Sequence, residues 1–172
     1  MNLYHLYRKF LDVYFKSPII WDYSLGCVSV AICWWLQIKE HICLPKSDNL
    51  LSVTTDLSTV SLTIAGFILT FLTVLITFKS SSKVTADNYD AENDSLFEIF
   101  FASELYFQTV KYLKNCIKSL IFVAVIGYSL KLSLNEARYA YLLLFDVFAL
   151  IIITLTMLRS LLILTKIIEM QK

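Results

Sequence analysis

The chain has 172 residues, 58% of them hydrophobic and only 17% charged, with a formal net charge of +1. Soluble domains carry about 25% charged residues. The apolar excess here is gathered into runs, which defines an integral membrane protein with no room for a separate soluble domain. The small net charge carries no nucleic-acid signature, so no direct nucleic-acid binding is expected. With 3 glycines in the whole chain there is no glycine-rich phosphate loop, and no HExxH, GxSxG or paired-carboxylate spacing occurs. Cys27, Cys33, Cys43 and Cys116 form no CxxC pair, and the histidines are His5 and His41 alone. Neither an enzyme, a metal site nor a cofactor is expected.

Residues 2–16, NLYHLYRKFLDVYFK, have the pattern of an amphipathic helix lying in the membrane surface. Leu3, Leu6, Tyr7, Phe10 and Tyr14 fall at helical spacing, and Arg8, Lys9 and Lys16 supply cations for lipid headgroups. The rest, 17–172, reads as one four-span membrane domain, its spans at about 18–38, 57–78, 117–134 and 139–166. The first starts at Pro18, a residue suited to an initial helical turn. Trp21 and Tyr23 at one end and Trp34 and Trp35 at the other form interfacial belts. Asp22 interrupts this run, which ends in WWLQ rather than a small-residue cleavage site, so no cleavable signal peptide is expected. In the first loop, Asp56 or a neighbouring threonine is placed to cap the second span.

That second span carries the most regular pattern of the chain. Thr59, Thr63, Gly66, Thr70, Thr73 and Thr77 recur at steps of four and three, a heptad stripe on an otherwise Leu/Ile/Val/Phe surface. Two readings stand open. Small residues let helices of neighbouring copies approach closely, or the stripe lines a narrow wettable path at an oligomer axis.

After Phe78 the composition changes to KSSSKVTADNYDAENDS, a polar loop in which Asp87, Asp90, Glu92, Asp94 and then Glu98 are uninterrupted by a cation. Ser95 to Glu98 makes a capping box, so a helix starts there. No breaker follows until Ser133, which predicts one continuous helix of about 39 residues and 58 Å. Its first part, 96–116, stands outside the third span. Ile99, Ala102, Tyr106, Val110 and Leu113 form its apolar face, and Glu104, Gln108, Lys111, Asn115 and Lys118 its polar one. The loop and helix 79–116 are the candidate docking surface for a cytoplasmic partner, through Asp87, Asp90, Glu92, Asp94, Glu98, Glu104, Gln108 and Lys111. Packing within the same oligomer is the alternative. A short turn at 133–138 makes the last two spans an antiparallel hairpin.

Ionisable residues inside spans are functional candidates that need named partners. Asp22 and Arg159 fall near the same end of spans one and four and are placed to pair. Lys131 has the reach to approach Asp146. Asp146 and Arg159 are too far apart around their helix, by about 220°, to pair with each other. Orientation follows from cations: Arg8, Lys9, Lys16, Lys79, Lys83, Lys111, Lys114, Lys118, Arg159, Lys166 and Lys172 share one side, against Lys39, Lys46, Lys131 and Arg138 on the other. Both termini and the acidic loop are therefore expected in the cytoplasm.

Four spans in this length, the segment GFILTFLTVLITFK, the acidic loop and the long third helix resemble the KwaA family, membrane components of the Kiwa anti-phage systems. The resemblance is one of layout over the whole chain. It implies a homo-oligomeric, tetrameric sensor in the bacterial inner membrane that holds a cytoplasmic DNA-binding partner, KwaB, and acts early in infection. From the residues alone, two functions remain: an all-α membrane anchor and sensor, with itself, lipids and a cytoplasmic protein as partners, or a small oligomeric ion channel.

Overall fold

The computed structural model describes residues 14, 17–40, 47–81, 96–133 and 140–170. The expected surface helix (save Tyr14), the acids at 87, 90, 92 and 94, and the turn after Ser133 lie outside the described residues. Five described elements follow, all helical: α1 (Pro18–Ile38), α2 (Ser47–Ser81), α3 (Leu96–Ala102), α4 (Glu104–Ser133) and α5 (Ala140–Glu169). Four of these, α1, α2, α4 and α5, are long and apolar enough to cross a membrane.

Helix α1 has Pro18 in its first turn. It stops where Glu40 takes a left-handed φ of 57° and donates its amide to Gln37 O at 3.1 Å. Helix α2 starts earlier than expected, at Ser47, so Asp56 and its neighbouring threonines stand inside the helix and cap nothing. Nothing between Ser47 and Asp56 breaks a helix. Thr55 turns its hydroxyl back onto Leu51 O at 2.7 Å, and Thr54 Oγ1 shares its one proton between Leu50 O at 2.9 Å and the bundle interior, so neither opposes the helix.

The long helix expected from 95 to 133 is two helices. It breaks at Ser103, whose hydroxyl bonds Phe100 O at 2.8 Å and whose amide is shared between Ile99 O and Phe100 O. A serine competing for the local carbonyls is the visible device, and the return is aromatic packing. The break sets Phe100, Phe101 and Tyr106 against one another with ring centroids 5.4 to 6.1 Å apart.

Cross-contacts fix the direction of every helix. Asp22 meets Arg159 while Gly26 lies beneath Phe148 and Ile152, so α1 and α5 are antiparallel. Lys79 reaches Phe101, Ser61 reaches Leu120 and Thr59 reaches Tyr128, so α2 and α4 are antiparallel too. Cys116 sits by Arg159 and Gly127 by Phe145, which sets α4 against α5. The result is an up-down-up-down bundle in which α5 touches α1, α2 and α4. Its apolar core runs from Leu75, Phe101 and Leu113 at one end through Leu120, Val123, Ala149 and Ile152.

Close approaches within a protomer fall at Gly26, beneath the Phe148 ring, and at Gly127. A Cβ at Gly127 would collide with Ser58 Oγ and stand 3.2 Å from the Phe145 ring. Gly66, by contrast, has nothing within 4 Å of its Cβ position.

Candidate functional site

The apolar bundle interior is interrupted by two buried charged levels with hydroxyl side chains between them. Arg159 is 1% exposed and is held by Asp22 and Cys116, with Tyr14 behind Asp22. Its Nη1 donates to Asp22 Oδ2 at 2.7 Å, its Nε to Cys116 Sγ at 3.3 Å, and the second Asp22 oxygen accepts from Tyr14 OH at 2.7 Å. One guanidinium thus joins α1, α4 and α5, and the Asp22 carboxylate adds Tyr14. Isolated charges are expensive in a low-dielectric interior, and the bonds from Tyr14 and to Cys116 satisfy part of what the ion pair leaves over. Burial, and then the hydrogen bond to Asp22, raise the Tyr14 phenol well above its ordinary value, so it stays a donor throughout the physiological range.

A second polar group lies toward the other end. Asp146 is buried and its Oδ1 accepts from Thr54 Oγ1 at 2.8 Å. Lys131 does not reach Asp146: its Nζ bonds Thr55 Oγ1 at 2.7 Å on the exposed flank of α2. The two neighbouring threonines separate the charges, because Thr54 points into the core and Thr55 toward the flank where α4 ends. Between the two charged levels, Ser58, Ser61, Ser119 and Thr156 are buried as well. Ser61 Oγ donates across the interface to Leu120 O at 2.8 Å. Such interhelical bonds in membranes contribute about 0.6 kcal/mol each. Among the described residues, Asp146 Oδ2, Thr156 Oγ1 and Arg159 Nη2 are buried without a hydrogen-bond partner.

The threonine stripe takes the outer side of the protomer. Thr59, Thr63, Gly66, Thr70, Thr73 and Thr77 are all exposed. Each of these threonine hydroxyls donates to the carbonyl four residues earlier, at 2.9 to 3.0 Å. The hydroxyl protons are therefore taken up inside α2, save that Thr59 Oγ1 also meets Tyr128 OH of α4 at 3.0 Å. The core-facing stripe is a different one: Leu50, Thr54, Ser58, Ser61, Ala65, Ile68, Leu72 and Leu75. It has the same heptad steps, and serine and threonine at its first part are the sequence signal that marks it.

At the α3 end, Lys79 donates to Phe101 O at 2.6 Å, and its Nζ lies 5.9 Å from the Tyr106 ring centre. A cation at the last carbonyls of a short helix satisfies groups that the helix itself cannot. Glu104, Gln108 and Lys111 are exposed on α4 and Glu98 is half-buried on α3.

Comparisons with protein-family models, curated proteins and solved structures return no match. Fold and site together define the class, an all-helical protein with four helices long and apolar enough to cross a membrane and a buried ion pair between the first and last of them.

Proposed function

We propose that the chain is a membrane-embedded sensor and anchor subunit that assembles with copies of itself and recruits a cytoplasmic protein, in the manner of the KwaA subunits it resembles in layout. The observation that carries this reading is the coupling at one end of the bundle. Helices α2, α4 and α5 have 35, 30 and 30 residues, about 52, 45 and 45 Å at 1.5 Å per residue, against roughly 30 Å of hydrocarbon. The surplus of α2 ends at Lys79, which clamps the α3–α4 break through Phe101 O. A tilt or shift of α2 in the bilayer therefore moves α3, and α3 directly follows the acidic segment.

Asp87, Asp90, Glu92, Asp94 and Glu98 carry no counter-cation in sequence. Anionic headgroups repel such a segment by about 1 kcal/mol per unit charge near the surface, which presents it to the cytosol and to a partner with a basic face. Copies join through the exposed threonine and glycine stripe, whose spent hydroxyls favour a close-packed seam over a wet path. Inner-membrane location and an anti-phage role belong to the same proposal.

Changing Asp87, Asp90, Glu92 and Asp94 together to Asn or Gln tests the proposal. The variant oligomer stays intact, while partner capture in mild detergent and protection against phage both fall. Wild-type capture and protection in that variant would reduce the segment to a connector.

A further inference from the structure

Where α1 enters the membrane, a groove of about 540 Å³ opens between its first turn and α4, lined by Ser17, Pro18, Ile19, Ile20, Gln108, Lys111, Tyr112 and Asn115. We propose that this groove is a binding site for an anionic phospholipid, with its phosphate at Lys111 and an acyl chain against Ile19 and Ile20.

Height places the groove at the headgroup. Helix α1 has 21 residues, about 31 Å at 1.5 Å per residue, so it matches the hydrocarbon core with Pro18 at one boundary. Asn115 lines the groove with Ser17 and Pro18 and precedes Cys116, which shares Arg159 with Asp22, so it stands within about a turn of that boundary. From Asn115 to the end of α4 at Ser133 the helix rises about 27 Å, which brings its other end to the opposite boundary. Lys111 is one turn further out, about 6 Å, at the level of lipid phosphates.

The chemistry changes across that level in the order a phospholipid requires. Ile20 is 70% exposed and, with Ile19, gives the groove an apolar floor on the membrane side. Gln108 and Asn115 flank Lys111 at steps of three and four on one helix face, and their amide groups donate to ester and phosphate oxygens. Lys111, Lys114 and Lys118 are exposed and form no ion pair among the described residues. Asp22, the acid of α1 among the described residues, is turned inward and held by Arg159. Glu104 is two turns beyond Lys111, about 10 Å further from the bilayer. The groove is thus cationic where a phosphate sits and apolar where a chain begins. A bound lipid bridges α1 and α4, which leaves the exposed Glu104 to a protein partner.

Delipidated full-length protein in mild detergent is titrated with short-chain phosphatidylglycerol and phosphatidylcholine, and bound lipid is counted by native mass spectrometry. Phosphatidylglycerol should bind about five-fold more tightly, the factor that corresponds to one lysine near an anionic surface. Lys111→Gln, at an exposed position, should remove that preference and leave thermal stability unchanged. Asn115→Trp should fill the groove and weaken both lipids, and Lys114→Gln should have less than half the effect of Lys111→Gln. Equal affinity for the two lipids would overturn the proposal. So would equal losses from Lys111→Gln and Lys114→Gln, which mark diffuse charge rather than a site. Tight lipid binding that emerges only after removal of residues 1–13 would show that the chain's own N-terminal segment fills the groove. Loss of partner capture in Lys111→Gln with lipid binding intact would assign the groove to a protein instead.

Discussion

Replacing Asp22 with Asn leaves the shape of the site almost unchanged and removes its one negative charge. Tyr14 OH still finds an oxygen to donate to, but Arg159, 1% exposed, loses the carboxylate 2.7 Å from its Nη1. The remaining contact, Cys116 Sγ, carries no formal charge when protonated, so the guanidinium is left buried and uncompensated. Breaking a buried pair from one side costs about 3–5 kcal/mol. At 2–4 °C per kcal/mol for a chain of this size, the melting temperature in detergent should fall by about 6–20 °C. The double replacement Asp22→Leu with Arg159→Leu removes both charges, and buried pairs replaced by apolar residues are often neutral or better. A cycle through Asp22→Leu, Arg159→Leu and the double variant should therefore show a coupling of about 3 kcal/mol, with the double variant more stable than Asp22→Leu alone. A loss below about 1 kcal/mol for Asp22→Asn would refute the claim that this pair ties α1 to α5.

Three further outcomes follow from the packing. Gly127→Ala should lower protomer stability by about 1–3 kcal/mol, because its Cβ meets Ser58 Oγ, whereas Gly66→Leu, facing open space in the protomer, should leave the melting temperature alone and dissociate the oligomer on size exclusion in detergent. Lys79→Met keeps the aliphatic stem but loses the bond to Phe101 O; hydrogen exchange at the amides of α3 should quicken by about ten-fold for a bond of roughly 1.4 kcal/mol, and unchanged exchange would remove the clamp.

Long apolar runs made the helices legible: Pro18–Ile38 is the first span at the bounds its proline and tryptophans mark. The proximity of Asp22 and Arg159 was legible as well, since an intramembrane charge demands a partner and antiparallel helices bring their like-positioned ends together. The start of α2 was not, because serine and threonine before Leu57 resemble a cap until their hydroxyls are seen to serve carbonyls one turn back. The break at Ser103 was not either. A lone serine does not end a helix by propensity, and what decides it is the packing of Phe100, Phe101 and Tyr106, which are brought together in three dimensions. The buried stripe through Thr54, Ser58 and Ser61 was hidden by the more regular stripe through Thr59 and Thr77. Both have heptad spacing, and only the position of α4 tells which one faces inward.

Everything assigned to the α3 end depends on the side of the membrane on which that end lies. A single cysteine is introduced at Ser47 or at Ser82 in a chain whose own cysteines are replaced, and intact cells are treated with a membrane-impermeant maleimide. The account predicts labelling at position 47 in intact cells, and labelling at position 82 only after the cells are opened. Labelling in the reverse sense would place the acidic segment outside the cell and contradict the proposed recruitment of a cytoplasmic partner.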